Sequence, residues 1–214
     1  IDLLSSLKEN LLIYKNEMQI ADLYYQNYTG LNVNYMSSLT SYVLGKLMWD
    51  VNEDVNTLIN NFMNHYYKEA APAVKKYYDF MCNWIAYEDA TNRNGFCMTL
   101  YNDISASYRW PKRVLEQAMG YLDEAIIGAK ANPDEVTAEI VYKRVLVESC
   151  CLRFIIANSF NTYYPAQKDY MFSFLDQWEV DCHLVGISAT QENPDRAGGT
   201  VSKICDALRE AANG

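Results

Sequence analysis

The sequence predicts a mainly α-helical protein, a multi-helix bundle of about six to eight helices in which one short strand near the N-terminus is also allowed. Three observations predict this fold class. Apolar residues recur at spacings of three and four along most of the 214 residues, residues that favour helix starts precede these stretches, and half of all residues are hydrophobic. The chain is therefore apolar enough to build one substantial core or two small ones.

The N-terminal residues predict a helix followed by a strand and a loop. Leu4, Leu7 and Leu11 share one helical face within residues 3–14. Residues 18–25 form a short apolar run typical of a buried strand, although the same residues also permit a helix. The Asn-Tyr-Thr-Gly sequence at residues 27–30 then indicates a loop.

The next three predicted helices follow from periodicity and from helix-start signals. Residues 34–49 keep the helical spacing of apolar residues, and residues 50–52 interrupt it. Asn52 is predicted to cap the following helix, because Glu53 and Asp54 would then lie in its first turn, where carboxylates are favourable. Pro72 is predicted to lie early in the next helix, since proline is tolerated in the first turn.

The second half of the chain predicts further helices after a long connection. Residues 88–107 are polar and contain Asn-Arg-Asn-Gly, which indicates a long loop. Pro111 is predicted to open a helix that ends near Asn132, and Asn132 with Pro133 is predicted to start another that reaches about residue 160. Helices around residues 170–178 and 201–211 complete the chain.

Charge and hydropathy argue against two classes of partner. The net charge is −9, and the 18 Lys and Arg residues are scattered along the sequence. Binding to a nucleic-acid backbone needs a concentrated positive surface, so no nucleic-acid partner is predicted. No apolar run approaches the roughly 20 residues that cross a bilayer, and no membrane partner is predicted either. Because the chain begins with Ile1, we expect a processed or excised piece of a longer protein.

The cysteines indicate buried thiols in a reducing environment. No two of them form a C-x-x-C pair, and two of them are adjacent, which would strain a mutual disulfide. The six positions are Cys82, Cys97, Cys150, Cys151, Cys182 and Cys205.

One stretch resembles a known family. Residues 42–50 end in Leu-Met-Trp-Asp, Phe62 is followed by the paired Tyr66 and Tyr67, and residues 70–72 are Ala-Ala-Pro. This Leu-x-Trp-Asp, Phe-x-x-x-Tyr-Tyr, Ala-Ala-Pro pattern resembles a domain of unknown function in uncharacterised bacterial glycoside-hydrolase-like proteins. The resemblance covers about 35 residues. The family usually has Gly-Pro after the paired tyrosines, whereas this chain has Lys68 and Glu69.

The resemblance implies a TIM-type barrel followed by helices. Residues 1–33 would be the end of a barrel domain, with residues 18–26 as one of its last strands, and residues 34–214 would be a helical domain. The parent protein would process carbohydrates and would be secreted or attached to the cell envelope. An upstream barrel domain and a carbohydrate are the partners that the resemblance implies.

The candidate site also depends on the barrel. Functional residues of such barrels follow the C-terminal ends of the strands, which predicts a substrate-binding site at Tyr25, Gln26, Asn27 and Tyr28. Aromatic rings can stack on sugar faces and amides can bind sugar hydroxyls. A loop packed by its own tyrosines is the alternative interpretation. For Tyr66, Tyr67 and Tyr77, core packing is predicted over ligand contact.

No catalytic constellation is recognisable in the sequence. A glycosidase needs two carboxylates that face one bond, but Glu116, Asp123 and Glu124 are interpreted as solvated helix faces. His65 and His183 have no metal-ligand spacing, and no phosphate loop or nucleophile motif is present. Neither a metal nor a cofactor is predicted.

Two functional hypotheses remain open from the sequence. In the first, the chain is the helical C-terminal region of a glycoside-hydrolase-like protein that supports the barrel and its substrate cleft without being catalytic alone. In the second, it is a self-contained helical module that binds a protein or a glycan. The 18 tyrosines and four tryptophans favour the second hypothesis if some of them are exposed.

Overall fold

The regular structure of the described residues is helical, which confirms the predicted fold class. The structure is a computed structural model that describes residues 3–20, 22–23, 35–91, 109–190 and 199–213. The helices are α1 (Leu3–Asn16), α2 (Ser37–Trp49), α3 (Val55–Tyr67), a 3₁₀ turn (Lys68–Ala70), α4 (Ala71–Thr91), α5 (Lys112–Lys130), α6 (Glu135–Tyr163), α7 (Lys168–Leu184) and α8 (Val201–Asn213).

Two helices begin at an aspartate whose side chain accepts the backbone N–H three residues later. Asp54 caps α3 through a hydrogen bond of 2.8 Å, and Asp134 caps α6 through one of 3.0 Å. The predictions that Asn52 and Asn132 are the caps were therefore wrong by two residues. Asn132 instead accepts the Asp134 backbone N–H at 2.9 Å within the turn before α6.

The strand predicted for residues 18–25 is not formed in the part that the structure describes. Helix α1 ends at Asn16, Gln19 has a left-handed backbone, and residues 18–20 and 22–23 are neither strand nor helix. Met18 and Ile20 are 59% and 40% exposed, so residues 18–20 are not part of a buried strand. Among the described residues, the extended pairing is a single bridge between Ala189 and Thr200.

Two apolar cores share the long helix α6. The larger core joins α1 to α5 with one side of α6, and the smaller core joins the other side of α6 with α7 and α8. Val145 of α6 lies in the larger core, whereas Leu146 and Cys150 lie in the smaller core beside Trp178. The indole N–H of Trp178 donates to the Cys150 carbonyl at 3.0 Å, which satisfies its polar atom inside the core.

Helix α5 packs closely against the 3₁₀ turn and α4. At Gly128, an added Cβ would lie 2.9 Å from the carbonyl oxygen of Glu69. A glycine is therefore required where these two backbones approach each other. This contact fixes α5 against the 3₁₀ turn, and α5 also packs along α6.

The described tyrosines and cysteines follow the burial predictions at most positions, while Tyr66 and Cys82 are only half-buried. Tyr67 and Tyr77 are each 1% exposed, which confirms that they pack in the core. The thiols of Cys150, Cys151, Cys182 and Cys205 are buried and form no disulfide. Burial raises the pKa of the Cys205 thiol to about 12, which makes it a poor nucleophile.

No helix within the described ranges is both long enough and apolar enough to cross a membrane.

Candidate ligand-binding site

A cleft of about 390 Å³ opens between α5, α6 and α7. Its volume lies within the roughly 300–1,000 Å³ typical of small-molecule sites. The end of α6 and the start of α7 supply an aromatic wall, the middle of α6 and α7 supply a polar floor, and α5 supplies a charged rim. Apolar surface and convergent polar groups therefore meet in one concave site.

The aromatic wall consists of Tyr163, Tyr164, Tyr170 and Phe174. Tyr170 is 52% exposed, and its ring packs on the buried Phe160 with a centroid distance of 5.4 Å. The ring of Tyr164 meets Tyr170 edge to face at 5.8 Å. The wall thus presents the accessible ring of Tyr170, whose orientation is fixed by its packing against neighbouring aromatic rings.

The polar floor is a network of hydrogen bonds around a buried ion pair. Arg153 on α6 donates through Nη1 to Oδ2 of Asp181 on α7, and Gln177 donates through Nε2 to Oδ1 of Asp181 at 2.9 Å. The side chains of Arg153 and Asp181 are 15% and 6% exposed. A guanidinium carries five N–H donors in a rigid plane, so Arg153 can also offer donors to a ligand in the cleft.

The rim combines charges of both signs. Lys112 lies over the ring of Tyr164, with its Nζ 4.1 Å from the ring centroid, and the Tyr164 hydroxyl donates to Oε1 of Glu116 at 3.0 Å. Burial and this hydrogen bond raise the pKa of Tyr164 to about 12, so its hydroxyl remains a donor at neutral pH. Asp123 lies near Arg153, and desolvation raises the pKa of its carboxyl while Arg153 opposes that shift.

A glycine in the rim has no steric explanation among the described residues. An added Cβ at Gly120 of α5 would meet none of their atoms within 4 Å, in contrast to Gly128. Glycine in a helix interior costs about 0.5–1 kcal/mol relative to alanine. Gly45 of α2 has the same open surroundings but lies outside the cleft. Gly120 therefore leaves open space at the α5 rim of the cleft.

The site predicted at Tyr25, Gln26, Asn27 and Tyr28 lies outside the residues that the structure describes. The cleft was missed from sequence because its members come from three helices. Glu116 and Asp123 were interpreted as solvated helix faces, and both line the cleft. A usable signal was the aromatic group of residues 163–174, which is concentrated around the break between α6 and α7.

The remaining candidate residues do not form a site among the described residues. His65 and His183 are both exposed, and Nδ1 of His65 lies 2.8 Å from the carbonyl oxygen of Asn61 one turn earlier. In the described ranges, no group of three or more His, Cys, Asp or Glu side chains is placed to hold a metal ion.

A second polar cluster lies inside the larger core. Oε2 of Glu148 accepts the backbone N–H of Met36 at 3.0 Å, and Oε1 accepts the hydroxyl of Tyr67 at 3.2 Å. Burial raises the pKa of Glu148 to about 7, against the lowering effect of these two donors. The nearby hydroxyl of Tyr35 is buried and has no hydrogen-bond partner among the described residues. Glu148 is 2% exposed, which separates this cluster from the open cleft.

Comparison with known proteins gives one family match. Residues 3–79 match the family described as a domain of unknown function, DUF4838. The match runs from α1 into the first half of α4 and includes the Leu-x-Trp-Asp, Tyr-Tyr and Ala-Ala-Pro residues. No curated protein and no solved structure matches the chain. The matched residues end before the helices that form the cleft.

Proposed function

We propose that this chain is the helical region of a carbohydrate-active protein and that the cleft between α5, α6 and α7 binds a carbohydrate. The observation that carries the proposal is that the exposed Tyr170 lines the same cleft as Arg153 and Gln177, which both hydrogen-bond Asp181. A sugar presents an apolar face of C–H groups and a periphery of hydroxyls. An aromatic ring and a set of fixed hydrogen-bonding groups are complementary to these two surfaces.

The proposed role is binding, without catalysis by the helical region alone. Hydrolysis needs an acid and a second carboxylate that flank one bond. Glu116 and Asp123 both line the rim, yet Glu116 is occupied by the Tyr164 hydroxyl and Asp123 faces Arg153. These contacts are typical of carboxylates that orient neighbouring side chains and accept hydrogen bonds from sugar hydroxyls.

Replacing Tyr170 by alanine is expected to weaken glycan binding by about tenfold or more, because an aromatic contact contributes about 0.5–1.5 kcal/mol beyond the apolar area it buries. The measurement is a glycan array with the isolated chain, followed by calorimetric titration of the glycans that bind. Tyr87→Ala is the matched control, since Tyr87 is 56% exposed on α4 and does not line the cleft.

A second variant separates binding from folding. Gly120→Ala and Gly45→Ala are both expected to stabilise a helix by up to about 1 kcal/mol. Only Gly120→Ala should also weaken binding, because its methyl group enters the cleft. The proposed site is contradicted if the natural chain binds no glycan. It is also contradicted if the Tyr170→Ala and Tyr87→Ala variants bind glycan with equal affinity.

We also propose that the region packs against an upstream barrel domain of the same protein through the end of α2. Trp49 is 93% exposed there and Met48 is 44% exposed, and exposed tryptophan is enriched at interfaces. In the longer protein, Trp49→Ala should lower the melting temperature. In the isolated chain, the same substitution should change the unfolding free energy by less than about 0.5 kcal/mol. An unchanged melting temperature of the longer protein would contradict this contact.

A further inference from the structure

A second, smaller cavity lies beside the cleft. Its volume is about 160 Å³, and it is formed by the end of α6, the turn before α7, the start of α7 and the end of α8. This volume is below the usual range of an independent small-molecule site. The cavity is therefore better understood as an extension of a neighbouring site than as a site of its own.

Tyr164 is the side chain that lines both cavities. Its position is fixed from several sides: its ring packs at 4.8 Å from that of Phe160, its hydroxyl donates to Glu116 at 3.0 Å, and Lys112 lies over the ring. Tyr164 is therefore a well-fixed residue at the junction of the two cavities. A ligand that occupied both cavities would contact it.

The second cavity offers polar groups of the kind that bind sugar hydroxyls. The side chains of Asn161, Gln167 and Lys168 line it, together with the apolar surface of Met171 and the small side chain of Ala211. Amides can both donate to and accept from a hydroxyl, and an ammonium donates three hydrogen bonds. Both cavities that Tyr164 lines therefore combine an aromatic or apolar surface with hydrogen-bonding groups.

We propose that the ligand is an oligosaccharide of at least two sugar residues that spans both cavities across Tyr164. This inference rests on the proposed carbohydrate-binding function and specifies its ligand as a chain rather than a single sugar. One sugar residue occupies the larger cleft beside Tyr170, and the next occupies the smaller cavity beside Asn161. Affinity therefore depends on chain length, because the second residue gains contacts that a monosaccharide cannot reach.

The test is calorimetric titration with size series of one to four residues of β-1,4-linked glucose, mannose, xylose and N-acetylglucosamine. For the series that binds, we expect an affinity gain of about tenfold or more from one to two residues, since each tenfold corresponds to only about 1.4 kcal/mol of added contact. Ala211→Trp, which fills the second cavity from an exposed position on α8, should abolish that gain and leave monosaccharide affinity unchanged.

Ala207→Trp is the matched control, because Ala207 is also exposed on α8 and lines neither cavity. A gain with length that Ala211→Trp removes and Ala207→Trp retains supports the inference. Equal affinity for one and four residues, or an unaltered gain in Ala211→Trp, overturns it and leaves the proposed carbohydrate binding intact. If no glycan of the array and no member of these series binds, the proposed function and the inference are overturned together.

Discussion

Replacing Asp181 by alanine is expected to lower the free energy of unfolding by about 3–5 kcal/mol, since removal of one partner leaves a buried charge without compensation. The side chain of Arg153 is only 15% exposed, so its guanidinium has little access to water once the carboxylate is removed. The substitution also removes the acceptor that orients Gln177. The measurement is chemical denaturation at neutral pH, and glycan binding should be lost in the same variant.

Asp176 provides the control on the same helix. It also pairs with an arginine, Arg209 at 2.5 Å, but its side chain is 68% exposed, and exposed pairs contribute about 0–1 kcal/mol. Asp176→Ala should therefore change stability little. The double variant Arg153→Met, Asp181→Leu should recover most of the lost stability and still fail to bind ligand. A loss below about 1 kcal/mol in Asp181→Ala would show that Arg153 reaches water without its partner.

The helices could be predicted because their signals are local. A helix is determined largely by apolar spacing and by residues at its ends, and both can be recognised within a window of about fifteen residues. The aspartate caps were missed by two residues at Asn52 and Asn132, since Asn and Asp both favour helix starts. Asn132 bonds within the turn, and that choice between two suitable cap residues depends on the geometry of the loop.

The cleft could not be predicted because its contacts are not local. Arg153 and Asp181 are 28 positions apart, and Tyr164 and Glu116 are 48 apart. Helical periodicity correctly placed Glu116 on a polar face, but it does not say whether such a face meets water or another helix. That distinction arises only when α5, α6 and α7 pack together, so sequence alone favoured the solvated interpretation.

The burial of Glu148 could not be predicted from the sequence either. This side chain connects three parts of the larger core. Its carboxyl accepts the N–H of Met36, whose left-handed backbone immediately precedes α2, and the hydroxyl of Tyr67 at the end of α3. A non-glycine residue in this conformation is held by its surroundings. Glu148 on α6 therefore fixes the start of α2, and it does so without a charged partner among the described residues.

Loss of the Glu148 proton is expected to make the protein less stable as the pH rises. Its pKa is raised to about 7 in the folded protein and is about 4.5 as a free group. The stabilisation is complete below pH 4.5 and is lost as the pH rises through 7, which removes about 2–3 kcal/mol of unfolding free energy between pH 5 and pH 8. The capping carboxyls of Asp54 and Asp134 have lowered pKa values, so their contribution is lost only at more acidic pH.

Glu148→Gln should abolish this loss, because a neutral amide of the same shape can accept the Met36 N–H and donate to the Tyr67 oxygen. At pH 8 the variant should be more stable than the natural chain by on the order of 2 kcal/mol, and at pH 5 the two should be similar. The measurement is urea unfolding of the natural chain and of the variant at pH 5, 6, 7 and 8, which gives the unfolding free energy of each. Glu139→Gln, at an exposed position on the same helix, should leave the pH dependence unchanged. If Glu148→Gln retains the natural pH dependence, another group must be its source, and Glu148 is then ionised in the folded protein.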